Sequence, residues 1–234
     1  MNKELFIKTA EKLNIEVSAE QIEKFRKYSE LLVEKNKVMN LTSITDDEGI
    51  SIKHFIDSIL ILSLIDIPEN SKVIDVGTGA GFPGVPLKIM REDVEITLLD
   101  SLNKRITFLN EVKTALNLEK TECIHSRAED GGKNNKLREK FDFSVSRAVA
   151  PLKVLCEYDL PFVKVGGYFI AMKSAEIEEE LEEARAMIGS LGGKIKDIKK
   201  ITIPDTDIKR KIVIIEKIKE TPKQFPRNPK KIRN

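Results

Sequence analysis

The chain of 234 residues suits one large domain or a domain with an extension, and 41% apolar residues are enough for a sizeable core. The formal net charge of +2 hides an uneven split: residues 221–234 hold five basic side chains and no acidic one, which leaves 35 basic against 38 acidic residues before them. Cys123 and Cys156 stand far apart with no Cys-x-x-Cys spacing, the pattern of reduced thiols in a cytoplasmic protein. Charges at Lys3, Glu4, Lys8, Glu11 and Lys12 rule a signal peptide out of residues 1–14, and "FIDSILILSLIDI" is too short and interrupted to span a membrane. Residues 1–70 then read as a helical extension. Ser18 with Gln21 makes a capping box ahead of an amphipathic run with Ile22, Phe25, Ser29, Leu32 and Val33 on one face. After the polar connection "NKVMNLTSI", Thr45 with Glu48 repeats that signal before a second helix through about Ile65. Its core side is Ile52, Phe55, Ile56 and Ile59, and His54, Asp57 and Ser58 form a polar stripe at i, i+3 and i+4. On the residues alone that stripe is an outer face with His54 hydrogen-bonded to Asp57.

From Lys72 the pattern changes to short apolar runs alternating with helical segments: "KVIDVG", "EITLLD", "TECIHS", "FDFSVS" and "GYFIAMK". Such alternation predicts βαβ units and a parallel sheet buried on both faces. The last two runs, "GKIKDIKKITIP" and "KRKIVIIEKI", are separated only by "DTDI" and form a hairpin. The prediction is an α/β fold with a seven-stranded, mostly parallel sheet and a terminal antiparallel hairpin. This is the Rossmann-like layout of class I methyltransferases. The expected organisation is a helical part over 1–70, a sheet domain over 71–220 and a basic tail over 221–234.

The first strand runs into "DVGTGAGFPG", with four glycines within eight positions. Glycines there permit positive φ and close backbone approach, and the following helix start offers free amides. Gly79, Gly81 and Gly84 satisfy the dinucleotide pattern G-x-G-x-x-G, with Asp100 at the next strand end ready for a ribose. Gly77, Gly79 and Gly81 equally satisfy the G-x-G-x-G of methyltransferases. Asp75 favours the second reading: a carboxylate just before the glycines repels a pyrophosphate and attracts the cationic amino group of S-adenosylmethionine.

Six segments, "NLT" at 40–42, "KHFIDS" at 53–58, "DVGTGAGFPG" at 75–84, "LLDSLNKRITFL" at 98–109, "SRAED" at 126–130 and "SVSRA" at 144–148, occur in this order. Together they resemble the bacterial ribosomal RNA small subunit methyltransferase G family, also called glucose-inhibited division protein B, from about Asn40 to the tail. The resemblance implies methyl transfer from S-adenosylmethionine, without a metal, to N7 of a guanine in 16S rRNA, at position 527 in the usual rRNA numbering. It implies that Gly77 and Phe82 touch the cofactor, that Ala128 and Glu129 meet the adenine, and that Arg147 faces cofactor and substrate. It also makes His54, Asp57 and Ser58 a wall of the substrate pocket. Lys53 stands where the family usually has arginine, and Phe225-Pro226-Arg227 replaces tyrosine-proline-arginine with no glycine after it.

Guanine N7 carries a lone pair and no proton, so alignment rather than a general base is required. Lys53, Lys104, Arg105, Arg147, Lys173 and the tail residues Lys223, Arg227, Lys230 and Lys231 are the candidate contacts to the RNA backbone. Lys104 and Arg105 read equally well as solvated helix residues, and the tail as a solvated terminus. The expected partner is the small ribosomal subunit or its RNA, with the protein a monomer away from membranes. Three other readings stand beside this one: a nicotinamide-dependent oxidoreductase, a non-catalytic RNA-binding assembly module, and a methyltransferase of proteins or small molecules.

Overall fold

Side-chain caps open the first two helices. Asn2 accepts from the Leu5 amide ahead of α1 (Lys3–Lys12), and Ser18 and Gln21 form the expected capping box of α2 (Ala19–Met39). The structure, a computed structural model, describes residues 1–147, 149–228 and 232, so Ala148, Lys230 and Lys231 lie outside the described residues. Helix α2 continues through residues 36–39 of the expected connection and ends on Asn40 in the left-handed conformation.

The second capping signal falls one residue later than expected. Asp46, not Thr45, accepts from the Gly49 amide to start α3 (Asp47–Gly49). The expected single α-helix is also broken into pieces: a π-helical turn (Ile50–Ile56), α4 (Asp57–Ile59) and a 3-10 turn (Leu60–Ser63) succeed each other. Local pattern cannot separate these helix types, because all of them put apolar residues on one broad face.

The strands and helices then alternate: β1 (Lys72–Val76), α5 (Gly84–Met90), β2 (Glu95–Asp100), α6 (Asn103–Ala115), β3 (Thr121–His125), α7 (Ala128–Gly131), β4 (Phe141–Arg147), α8 (Leu152–Asp159), β5 (Val163–Ser174), α9 (Glu178–Ser190), β6 (Gly193–Thr202) and β7 (Lys209–Lys217). All seven predicted strands join one sheet in the order β3-β2-β1-β4-β5-β7-β6. Strands β1 to β5 pair in parallel, and β7 runs antiparallel to both β5 and β6. Strand β5 begins four residues before the expected Gly167, with a register shift against β4 and positive φ at Gly166.

The helices of the first 70 residues share an apolar cluster with one sheet face. Phe6, Phe25 and Phe55 pack with ring centroids 4.8 to 6.2 Å apart, and Tyr28 joins them to Phe82 of the glycine loop. The described tail, residues 221–228, is no solvated arm. Phe225 is buried against α8 and α9, and the carbonyls of Thr221 and Phe225 accept from Arg138. Apolar anchoring and charge-assisted bonds outweigh the entropy that would otherwise free this end. Among the described residues no helix is long and apolar enough to cross a membrane.

Candidate functional site

The strand order reverses between β1 and β4, so the crevice beyond their carboxyl ends is where an open α/β sheet holds ligands. The glycine loop fills that position. Gly77, Gly79 and Gly81 have φ of +73°, +61° and +106°. A Cβ at Gly81 would lie 2.6 Å from Tyr28 Oη, so glycine is required there twice over, by conformation and by space.

Two carboxylates pin the loop from below. Asp75 is completely buried; its Oδ2 accepts from Thr78 Oγ1 at 2.7 Å and from the Gly84 amide at 2.8 Å. Its Oδ1 finds no partner among the described residues. Burial outweighs those two hydrogen bonds and the nearby Arg147 charge, and raises the Asp75 carboxyl to about 7. Asp100, also buried, accepts from the Gly79 and Leu102 amides at 2.9 Å and pairs with Arg105 at 3.2 Å. Arg105 is thus held against Asp100 instead of standing as a solvated helix residue.

Two cavities open around this loop. The first, about 430 Å³, is lined by Val76, Gly77, Leu99, Ala128, Glu129 and Tyr158 among others. Of the expected cofactor residues it brings together Gly77, Ala128 and Glu129, and Glu129 is 4% exposed. Asp75, Gly79, Gly81 and Asp100 shape the loop from behind and do not line the cavity. Phe82 is directed elsewhere. Its ring stacks on His54 at 4.4 Å, with the Arg147 guanidinium 5.1 Å from its centroid.

The second cavity, about 620 Å³, lies at the carboxyl ends of β4 and β5 and the start of β7. Lys53, His54, Asp57, Arg147, Lys173 and Arg210 line it. The polar stripe of the second helix is therefore not an outer face: His54, Asp57 and Ser58 are all buried. The expected His54–Asp57 bond is replaced. Asp57 takes Arg147 at 3.0 Å and Arg210 at 2.7 Å, while His54 Nε2 meets Thr42 Oγ1 at 2.8 Å. Two guanidiniums outcompete an imidazole for a buried carboxylate because they stay charged. Burial and the Arg147 charge press His54 down to about 4, so the ring is neutral at pH 7. Ser58 donates to its own helix at the His54 carbonyl and does not line the cavity.

The remaining basic candidates divide. Lys53 and Lys223 are exposed. Lys104 reaches back to the Met39 carbonyl at 3.1 Å. Lys173 is held by Glu180 at 2.7 Å and by the Ala150 carbonyl. Arg227 grips Glu157 of α8 with its guanidinium and is not presented to solvent as an arm. Residues missed in the sequence are Tyr158 and Val154 of α8 in the first cavity, and Lys209 and Arg210 of β7 in the second. Arg210 meets Asp57 across 153 positions, a pairing without any local signal.

The first cavity suits a ligand with hydroxyls and a flat, partly apolar group, held by Glu129 and by apolar walls. The chain's similarities lie in the same direction. A family model described as rRNA small subunit methyltransferase G (GidB) matches residues 21–213. The chain is 53% identical over 224 residues to the Ribosomal RNA small subunit methyltransferase G of Clostridium perfringens (strain SM101 / Type A), covering 96% of this chain and 94% of that protein. It is 54% identical over 217 residues to the protein of the same name from Clostridium botulinum (strain Loch Maree / Type A3), covering 93% and 91%. Among solved structures, M. jannaschii TYW2 in complex with AdoMet superposes with a TM-score of 0.56 at 16% identity, over 75% of this chain and 80% of that one. A SAM dependent methyltransferase from Aquifex aeolicus gives 0.55 at 18%, over 75% and 96%. At such identities the two structures speak for the fold alone.

Proposed function

Because the chain belongs to the rRNA small subunit methyltransferase G family, we propose that it methylates N7 of one guanine in 16S rRNA, the position-527 type, with S-adenosylmethionine as donor. The reading is carried by the glycine loop held between Asp75 and Asp100 beside the first cavity, in a chain of that family. Gly77, Ala128 and Glu129 would hold the adenosine part, with Asp75 and Asp100 fixing the glycine loop from behind. When bound, S-adenosylmethionine supplies a methyl carbon made electrophilic by its sulfonium, and guanine N7 presents a lone pair with no proton to lose.

The chain's own residues then have to position and desolvate. Phe82, in contact with the His54 ring and the Arg147 guanidinium, ties the glycine loop to two residues of the second cavity and would fix their place beside the guanine. Arg147 is held by Asp57, so its charge stays put. A neutral His54 adds no positive charge where the methylated base becomes cationic. The target base is a loop base or one turned out of its stack. The same reading places the protein in the cytoplasm, acting as a monomer on the small subunit or its RNA.

The test incubates purified protein with labelled S-adenosylmethionine and small subunits from a strain lacking the activity, then maps the label by cleavage at N7-methylguanine. Label at a single loop guanine is the expected result. Cofactor binding without label would overturn the substrate assignment. NADH binding in its place would restore the oxidoreductase.

A further inference from the structure

The tail was expected to seek phosphate, yet Arg227 is committed elsewhere. Arg227 donates through its backbone N–H and Nε to Glu157 Oε1 at 2.6 and 3.0 Å, and through Nη2 to Oε2 at 2.7 Å. Glu157 is fully buried. Its neighbours on α8, Val154 and Tyr158, line the first cavity. The same segment also reaches α7. Pro226 approaches so closely that a Cβ on Gly132 would lie 3.1 Å from its Cγ. Arg138 ties the Gly132 carbonyl to the carbonyls of Phe225 and Thr221 at 2.6 to 2.8 Å. Residues Ala128 and Glu129 of α7 form the facing part of that cavity wall. Beyond the segment, Ile232 is buried in the same apolar cluster as Tyr158.

We infer that residues 221–227 form a strap that sets the spacing of the two cavity-lining helices, with Arg227 a positioning residue that acts on cofactor affinity through Glu157. The physical reason lies in the buried carboxylate. Glu157 on the inner side of a two-turn helix needs a charged partner, and among the described residues Arg227 of the tail supplies it in fork geometry. Tail docking and the seating of Val154 and Tyr158 are thereby one event. The inference rests on the first cavity being the S-adenosylmethionine site.

The test begins with binding of S-adenosylmethionine to the full-length wild-type protein. Lack of binding overturns the cavity's assignment, and the strap with it. Where wild type binds, Arg227→Lys keeps the charge but loses the fork. Because a lone Arg227→Gln strands a buried carboxylate and threatens the fold, Glu157→Gln combined with Arg227→Gln removes both charges together. Both variants should raise the KM for S-adenosylmethionine about tenfold while kcat stays within about twofold, the signature of a displaced binding wall. RNA affinity and its salt dependence should match wild type. An unchanged KM in two folded variants overturns the strap. So does an RNA-binding salt slope shallower by about one charge with cofactor affinity intact, which would restore the tail as an RNA arm.

Discussion

Asp75 and His54 are buried ionisable groups at the heart of the site, and burial drives their protonation in opposite directions. The Asp75 carboxyl is raised from 3.8 to about 7, chiefly by desolvation. Its share of stability is therefore full below the unfolded value and is lost as pH rises through about 7. The His54 imidazole is lowered from 6.5 to about 4, again by desolvation first and Arg147 second. Its share is present above 6.5 and is lost as pH falls toward 4. Between these limits the two shares oppose each other, each with a slope of about 1.4 kcal/mol per pH unit. Urea unfolding of the ligand-free protein at several pH values from about 4.5 to 6.5 checks this sign. Relative to wild type, Asp75→Asn should make stability rise more steeply with pH, and His54→Phe should make it fall. Equal slopes in all three proteins would sink the assignment.

At the scale of elements, helix α2 and the glycine loop form one unit. Tyr28 Oη donates to the Ala80 carbonyl at 2.5 Å, and the tyrosine is fully buried. Tyr28→Phe preserves the ring packing on Phe55 and Phe82 but leaves a buried carbonyl without its donor. That should cost about 1–3 kcal/mol in urea unfolding and weaken S-adenosylmethionine binding in the same variant. A stability loss without any change in cofactor affinity would mean that the loop keeps its shape without α2. The amphipathic spacing announced α2 and its capping box, because helix period and cap chemistry are local. The π turn was not legible. Its consequence, His54 and Asp57 turned into a cleft instead of onto a surface, depends on Arg147 and Arg210 arriving from β4 and β7.

For the molecule as a whole, the modest net charge is less informative than which cations remain available to RNA. Lys53 and Lys209 are exposed at the rim of the second cavity, whereas Lys173, Arg105 and Arg227 are spent on Glu180, Asp100 and Glu157. Lys53→Ala and Lys209→Ala should each reduce the slope of log affinity against log salt by roughly 0.7–0.9 for the RNA substrate. Binding measured across a salt series decides; no change in slope for either variant would move the RNA path away from this cavity.

The sequence by itself determined the seven strands, the hairpin, the glycine loop and its two flanking carboxylates, because each is written in short-range periodicity, turn chemistry and motif spacing. It also carried the family. Tertiary structure alone decided what the charged residues do. Asp57 chooses between a histidine three positions away and arginines 90 and 153 positions away. Arg227 of the tail chooses between solvent and a buried glutamate on α8. Such choices turn on which charges are desolvated together, and desolvation is a property of the packed molecule that no stretch of chain contains.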